Sequence, residues 1–433
     1  MPFVLGDTVV HMIRSKLAED GRRLSRGLLT LSVSGLSAPP SVLSGSSGDS
    51  VWTGPSEQYR RETSGFQSSW EYTSYRSFAS LSELKPDDVD PFLLVRREID
   101  SVSDRLRRCI ITDIPVLEKA AEYFFQQGKE GKRLRSTVSL LMATALAPHG
   151  PLPSQLEVDE TPASAHPTEL RRRQQRIAEI SELIHVASLL HDDVIDNSDS
   201  RRGLKALNSI FGNKVAILAG DFLLARASVS LAALHNSEVI ALMSQILEHL
   251  VSGEILQMNS SEDDMLSMEH YMKKTFYKTA SLLANSCKSV AVLAGCSSDE
   301  AMAAWRYGKH LGLAFQLVDD VLDFTSSQEE LGKPVGNDVR SGLATAPVLF
   351  AAEEYPELIP MIRRRFRTPG DIDAAIPLIV CSHGIQKATS LAELHASEAA
   401  NALGDLPPSL GTEADDSRNA LECMTRKVIS RKK

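Results

Sequence analysis

The sequence of 433 residues contains only five cysteines, and no two of them have the C-x-x-C spacing of a redox or zinc motif. Scattered cysteines in odd number are typical of buried thiols in a reducing compartment and exclude a disulfide-stapled or zinc-framework fold. Positive charge is also scarce: 47 Lys and Arg face 56 Asp and Glu, which argues against a nucleic-acid-binding protein. No apolar run approaches the roughly 20 residues that span a bilayer, so we expect no transmembrane segment.

The first 83 residues lack the apolar periodicity of a folded domain. They are rich in Ser and Gly, and basic residues such as Arg14, Arg22 and Arg23 lie near their start. A beginning rich in Arg and Ser is typical of organelle transit peptides. We therefore predict that residues 1–83 are a disordered leader acting as a transit peptide, with a plain disordered tail as the alternative.

From Pro91 onward, apolar residues recur at helical spacing. In PFLLVRREIDSVSDRLRRCI they fall at positions 95, 99, 102, 106 and 110, and several later segments repeat the pattern. Strand-like alternation is absent. Residues 84–433 are therefore predicted to form one large all-α domain of ten or more helices. A stretch with five prolines, residues 148–169, is predicted to be a loop between two of them.

An acidic motif, Asp-Asp-x-x-Asp, occurs twice within these helices. The copies are HDDVID, with Asp192, Asp193 and Asp196, and VDDVLD, with Asp319, Asp320 and Asp323. At about 100° per residue, the three carboxylates of each copy share one side of a helix. Crowded acids on an apolar helix are costly unless a cation compensates them. Oxygen ligands without cysteine suit Mg²⁺ bound together with substrate phosphates. This interpretation is favoured over a solvated acidic helix edge.

Basic residues that could bind phosphates accompany the acidic motifs. They are Lys132, Arg133 and Arg135 in GKRLR, Arg201 and Arg202 after the first motif, Lys278 in YKTA, and Lys333 after the second motif. Arginine can bind phosphate through two parallel hydrogen bonds, whereas lysine acts as a point charge. Two acidic metal-binding motifs with separate basic clusters predict a site for two diphosphates. One diphosphate would be activated by metal, and the other would be held by protein cations.

At these residues the chain resembles the trans-isoprenyl diphosphate synthase family, and most of all its plant-type long-chain polyprenyl members. The likeness covers residues from about 90 to 433 and includes GKRLR, both acidic motifs, GNKVAILAGDFLLARAS, KTFYKTASL and GLAFQLVDDVLDF. It implies an antiparallel helical bundle around a central cavity, usually assembled as a homodimer. The sequence departs from the family at Glu130, where a glycine is common, and at Ser136, where a proline is common; neither change removes a charged ligand.

The resemblance also implies roles for individual residues. About three Mg²⁺ ions per active site would be held with substrate bound; the implied metal ligands are Asp192, Asp193, Asp196, Asp319, Asp320 and Asp323. The first five, with Lys278, are implied to be catalytic. Arg201, Lys278 and Lys333 would draw off the diphosphate of a geranyl, farnesyl or geranylgeranyl primer beside Thr279 and Gln316. Isopentenyl diphosphate would bind through Lys132, Arg135, His185 and Arg202.

Small residues precede the first motif by about one helical turn. Ser188 lies four residues before Asp192, about 6 Å along the helix, with Ala187 beside it. Small side chains there leave room for a growing chain, although they also suit close helix packing. We therefore predict a long product of about C40 to C50, destined for the ubiquinone side chain. This favours a mitochondrial location, with the plastid as alternative, and peripheral membrane contact for product release.

Other functions fit the sequence less well. A short-chain geranyl or geranylgeranyl diphosphate synthase is the main alternative, because the motifs indicate the chemistry better than the product length. A metal phosphohydrolase would share the His191-Asp192 pair but needs further His ligands, and a terpene cyclase would carry a different second motif. A non-catalytic partner subunit is expected to have lost metal ligands, whereas all six aspartates are present.

Overall fold

The computed structural model describes residues 89–125, 133–146, 169–201, 204–326 and 335–431. The predicted leader and the proline-rich loop up to residue 168 lie outside the described residues. So do three predicted site residues: Lys132, Arg202 and Lys333.

The described part of the chain is almost entirely helical, which confirms the predicted all-α class. The helices are α1 (Pro91–Leu94), α2 (Arg96–Cys109), α3 (Pro115–Phe125), α4 (Leu134–Ala145), α5 (Glu169–Ile195), α6 (Leu207–Phe211), α7 (Asn213–Ala232), α8 (Ser237–Met258), α9 (Met268–Thr275), α10 (Ser281–Ala294), α11 (Ser298–Thr325), α12 (Asn337–Arg340), α13 (Ala346–Glu354), α14 (Leu358–Arg363), α15 (Asp371–Cys381), α16 (Gly384–Ala402) and α17 (Thr412–Ile429). Short 3₁₀ turns lie at Asp264–Leu266 and Leu403–Asp405.

Local sequence explains where helices begin and which face they bury. The apolar stripe of α2 is buried as predicted, with Val102, Leu106 and Ile110 at most 1% exposed. Helix α11 begins with a capping box, in which Ser297 and Glu300 each accept a hydrogen bond from the other's backbone N–H. The capping box fixes the residue at which α11, the helix of the second acidic motif, begins.

The two helices that carry the acidic motifs, α5 and α11, both pack against α10. Close approach of α11 and α10 depends on glycine: a Cβ built at Gly312 would lie 2.6 Å from the Cα of Ala280, and one at Gly308 would lie 2.7 Å from the Cα of Ala284. Such distances leave no room for any side chain. Helix α10 is therefore the common support of both motifs.

A short antiparallel hairpin, β1 (Ser200–Arg201) and β2 (Leu204–Lys205), follows the first motif. The sequence predicted no strands, because two residues are too few to show an alternating pattern. Its consequence is local: strand β1 places Arg201 beside the end of α5.

Two helices, α7 and α8, have the length and composition that would allow them to cross a membrane, so the expectation that no stretch reaches this length was wrong. Both pack into the bundle, α7 on α5 and α8 on α10. Only 39% of the most apolar stretch of α7 and 28% of that of α8 is buried, because each helix also presents apolar side chains outward. Leu218 is 57% exposed and Val229 69% on α7, and Val251 is 65% exposed on α8. These residues, with Ile255 and Met258, are called the α7–α8 apolar face below.

Candidate active site

The connection between α9 and α10 carries two of the predicted site residues. Helix α9 runs into α10 through a π-helical turn, Phe276–Ala280, in which the N–H of Ser281 bonds the carbonyl of Phe276 five residues earlier. Turns of this kind hold one extra residue and often occur at functional sites. Lys278 and Thr279, both predicted site residues, lie inside it.

The first motif occupies the last turn of α5. Asp193 is buried and accepts hydrogen bonds at 2.7 and 2.9 Å from the guanidinium of Arg201, so two residues that were predicted separately, as a metal ligand and as a diphosphate-binding cation, contact each other. Asp192 is partly buried, and burial raises its pKa to about 6, with Glu254 and Asp196 raising it further and Lys278 opposing them. In the first motif, therefore, Arg201 balances the charge of Asp193, while Asp192 and Asp196 leave excess negative charge facing Lys278.

Lys278 is held in place by an acid that the sequence analysis did not identify. Its Nζ lies 2.5 Å from Oε2 of Glu254 on α8 and 3.3 Å from Oε1 of Gln257. The neighbouring Gly253 makes this approach possible, since a Cβ there would lie 2.7 Å from Cγ of Lys278. The Gly-Glu pair within an apolar helix is the one signal in the sequence that could have indicated the contact. Glu254 thus positions a cation in front of Asp192 and Asp196.

The second motif is oriented by a relay of hydrogen bonds. Thr279 donates to Gln316 at 3.0 Å, and Gln316 donates to Oδ1 of Asp320 at 2.9 Å. Tyr271, which was not predicted, donates to Oδ2 of Asp320 at 2.5 Å. Asp320 is 2% exposed, and its pKa is raised to about 7 by burial and then by the charge of Asp338. The relay fixes the Asp320 carboxylate, while its high pKa shows that cationic compensation is incomplete.

The last acid of the second motif forms a helix cap. Asp323 accepts hydrogen bonds from the backbone N–H groups of Asn337 and Asp338 at 3.1 and 3.0 Å. An acid at this position stabilises the start of α12. The cap also keeps Asp338 close enough to Asp320 to raise its pKa. Asp338 is therefore a further acidic residue close to the second motif. The sequence analysis did not identify it, because it lies beyond Lys333 and outside the motif.

A second lysine of the α9 segment links the two motifs. Burial lowers the pKa of Lys274, while Asp320 and Asp338 raise it and Lys278 lowers it. Lys278 in turn acts on Asp192 and Asp196. The two acidic motifs therefore face one row of cations, formed by Lys274 of α9 and Lys278 of the π-helical turn. The sequence contains this lysine in KKTFYKTA but offers no reason to prefer it over Lys273, which is exposed.

The remaining predicted binding residues lie on α4 and α5. The positive charge of Arg135 lowers the pKa of Asp319, so this arginine faces the second motif. Buried Glu182, one turn before the partly buried His185, bonds Ser136 Oγ at 3.0 Å and Arg133 Nη1 at 3.3 Å, docking the start of α4 on α5. This contact explains how Ser136 is accommodated where the family often has proline.

The two residues predicted to set product length differ in environment. Ala187 is fully buried in the core shared by α5 and α7. Ser188 is partly buried, and its Oγ donates to the carbonyl of His185 at 2.9 Å. Ser188 is thus the more accessible of the two positions, and Ala187 is fully enclosed.

The donor set of the site fits Mg²⁺. Within the described ranges, no group of three or more His, Cys, Asp or Glu side chains is placed to hold a metal ion by itself. The partly buried Asp192 and the buried Asp320, whose pKa values burial raises, suit an ion that keeps several waters and completes its shell with substrate phosphates. No thiol takes part, which disfavours softer metals.

Comparison with known proteins agrees with this geometry. A family model described as polyprenyl synthetase matches residues 114–379. Solanesyl diphosphate synthase 3, chloroplastic/mitochondrial, of Arabidopsis thaliana is 48% identical over 360 residues, which is 83% of this chain and 84% of that protein. Solanesyl-diphosphate synthase 1, mitochondrial, of Oryza sativa subsp. japonica is 51% identical over 80% of each chain.

Solved structures with the same architecture include two prenyl synthases. The apo form of an Arabidopsis medium/long-chain length prenyl pyrophosphate synthase has a TM-score of 0.63 and 44% identity, covering 80% of this chain and 100% of that one. A polyprenyl synthase from Caulobacter crescentus CB15, complexed with calcium and isoprenyl diphosphate, has a TM-score of 0.68 and 30% identity, covering 81% and 100%.

Proposed function

Because this chain belongs to the polyprenyl synthetase family, we propose that it adds isopentenyl diphosphate repeatedly to an allylic diphosphate in an active site formed by the two acidic motifs. The chain is a prenyltransferase whose product is a long all-trans polyprenyl diphosphate. The observation that carries the active-site assignment is the row of Lys274 and Lys278, which faces Asp320 on one side and Asp192 on the other.

Mg²⁺ is the proposed cofactor. Its proposed ligands are Asp192, Asp193 and Asp196 with Asp319, Asp320 and Asp323. Bound there, it supplies charge stabilisation for the departing diphosphate. Asp193 and Asp323 already make hydrogen bonds to Arg201 and to the start of α12. Four of these acids have raised pKa values and therefore have most to gain from a divalent cation: Asp192, Asp196, Asp319 and Asp320.

Protein cations complete the stabilisation of the leaving group. Lys278, held by Glu254, receives the diphosphate as its bond to the allylic carbon breaks, and Arg201 and Lys333 are proposed to assist it. Thr279 and Gln316 orient the primer and keep Asp320 in place. The double bond of isopentenyl diphosphate attacks the allylic cation, and the released diphosphate accepts the proton that is then lost. Electrostatic positioning of this kind is the largest contribution in many enzymes.

Isopentenyl diphosphate is proposed to bind between α4 and α5. Arg135 and His185 supply the described part of this site, and Lys132 and Arg202 are proposed to complete it. The diphosphate of the primer and that of isopentenyl diphosphate would then be held by separate cations. Because only the diphosphate of the primer would lie at the metal site, only that diphosphate would be activated as a leaving group.

Product length tests the function directly. Incubating the purified protein with isopentenyl diphosphate, farnesyl diphosphate and Mg²⁺ should give products of about C40 to C50. In Ser188→Phe the aromatic ring should shorten the main product by several C5 units, since a growing chain passes one turn below Asp192. Chain lengths are read by chromatography after removal of the diphosphate.

Ser188→Ala is the matched control, because it removes only the hydroxyl that bonds the His185 carbonyl. Its products should match those of the wild type. Ala187→Phe is a less informative variant, since it overpacks a fully buried position. Identical products from Ser188→Phe and the wild type would place the limit on chain length elsewhere, and short wild-type products would support a geranyl or geranylgeranyl synthase.

We also propose that the active unit is a homodimer joined through the α7–α8 apolar face. Exposed apolar patches of this kind usually mark contact surfaces, and twofold dimers are the commonest assembly. Peripheral membrane contact for release of the apolar product would then use another part of the surface.

Val229→Asp tests the dimer, because a carboxylate buried in an apolar interface without a counter-ion is strongly unfavourable. Sedimentation at micromolar concentration should give a dimer for the wild type and a monomer for the variant. Val380→Asp, at a residue that is 50% exposed on α15, is the control and should remain dimeric. A monomeric wild type, or a Val229→Asp variant that stays dimeric, would contradict the proposal.

The proposed location is the mitochondrion, where a long prenyl product would supply the ubiquinone side chain. The relatives named above are mitochondrial, or chloroplastic and mitochondrial, which supports an organelle without choosing between them. Imaging a fluorescent protein fused to residues 1–83 distinguishes the mitochondrion from the plastid.

A further inference from the structure

An arginine near the end of the chain lies on the second acidic motif. Arg431 follows α17, and its Nη2 is 2.6 Å from Oδ1 of Asp319 and 2.6 Å from the carbonyl oxygen of Phe315. Its guanidinium carbon is 3.8 Å from the centre of the Phe315 ring. The Arg431 side chain is 14% exposed and that of Asp319 is 42% exposed. A cation from the protein thus occupies one oxygen of an acid in the second motif.

We propose that Arg431 is a tethered counter-ion that Mg²⁺ must displace from Asp319, so that metal binding at the second motif and release of the end of α17 are coupled. The inference rests on the proposed function, since that function makes Asp319 a metal ligand. It identifies Arg431 as a positioning residue that acts through Asp319.

Charge repulsion is the physical basis of the coupling. A guanidinium and a divalent cation cannot share Oδ1 of Asp319 without strong repulsion at this distance. Burial raises the pKa of Asp319 and Arg431 offsets part of that rise, so the arginine already supplies part of the compensation that a metal would supply. When the metal arrives, Arg431 has no further role at this oxygen and its own burial becomes a cost.

The surroundings of Arg431 allow it to leave. Its Nε has no hydrogen-bond partner among the described residues, so the docked position satisfies the guanidinium incompletely. A cavity of about 320 Å³ adjoins it, lined by Val318, Leu322 and Ile429 among others. Helix α17 ends at Ile429, and Ser430 is exposed, so only the last residues must move. Release therefore requires no repacking of the bundle.

Equilibrium metal binding is the first test, with Mn²⁺ as the probe and free Mn²⁺ counted by electron paramagnetic resonance at pH 8. Arg431→Met removes the competing charge and should tighten Mn²⁺ binding about fivefold or more, the range of an ordinary coupling between two sites. Arg431→Lys retains the charge without the planar stacking surface and should fall between. Lys427→Met, which makes the same charge change on α17, should bind as the wild type does.

Hydrogen exchange of the peptide covering residues 421–433 is the second test. Mg²⁺ should speed exchange at the end of α17 in the wild type, and in Arg431→Met exchange should be fast already and unaffected by metal. Unchanged Mn²⁺ affinity in Arg431→Met, or slower wild-type exchange with Mg²⁺, would overturn the proposal. Prenyl transfer measured on the same samples separates the two claims: an active wild type with no coupling rejects the counter-ion role alone, and an inactive wild type rejects the function.

Discussion

Replacing Asp192 by alanine, or Asp320 by asparagine, should lower kcat about a thousandfold or more, equivalent to about 4 kcal/mol of transition-state stabilisation. Burial raises the pKa of Asp192 to about 6 and that of Asp320 to about 7, so both carboxylates lie where a divalent cation would stabilise their ionised form. Asparagine is chosen at position 320 because it can still pair with Tyr271 and Gln316. Turnover of the wild type in excess EDTA should be lost, and Mg²⁺ should restore it.

The fold should survive these changes. The pKa of Asp192 in the folded chain is above its ordinary value, so ionising this acid costs the folded state stability as pH rises from about 4 to about 6. Without metal, Asp192→Ala should therefore melt no lower than the wild type at pH 7, and the difference should disappear below about pH 4. Asp373→Ala, at an exposed acid of α15, is the control and should keep full activity. A metal-dependent rate retained by Asp192→Ala would remove the first motif from the mechanism.

Lys278→Met should lower kcat about a hundredfold to a thousandfold with a smaller change in KM. The negative charge of the diphosphate grows as its bond to carbon breaks, so a lysine placed against it acts mainly in the transition state. Steady-state rates over a range of primer concentrations separate the two parameters. Lys273→Met, at the exposed lysine one helical turn away, should behave as the wild type does.

Glu254→Gln distinguishes a positioning role from a structural one. It preserves the shape of the side chain that contacts Nζ of Lys278 but removes the charge. The expected result is a fall in kcat of about tenfold, smaller than for Lys278→Met, with an unchanged melting temperature. An equal loss in kcat and in stability would mean that Glu254 maintains the packing of α8 and has no part in placing the lysine.

Much of this architecture could be predicted from sequence because it depends on local patterns. The stripe of α2, the all-helical class and the two acidic motifs follow from spacing within one helix. The pairing of Thr279 with Gln316 agrees with the grouping that family resemblance implied. The roles of individual residues in catalysis stay predictions until the variants above are measured.

The partners of the predicted residues could not be found in this way. Glu254, Tyr271 and Lys274 are ordinary residues of amphipathic helices, and only tertiary packing brings them to Lys278 and Asp320. The apolar lengths of α7 and α8 were missed for a related reason: each contains isolated charges that break the run without lowering its mean hydropathy much.

The π-helical turn at Phe276–Ala280 sets a limit on how this stretch can change in length. Upstream of it, Tyr271 and Lys274 face the second motif; downstream, Ser281 bonds His249 of α8 at 2.6 Å. The extra residue is absorbed within the turn, so the helical segments on either side keep their phase. Deleting one residue elsewhere in α9 or α10 would rotate one segment against the other by about 100° and turn either Lys274 or the α8 contact away, so length changes should be tolerated in the surface connections and eliminated along these two helices.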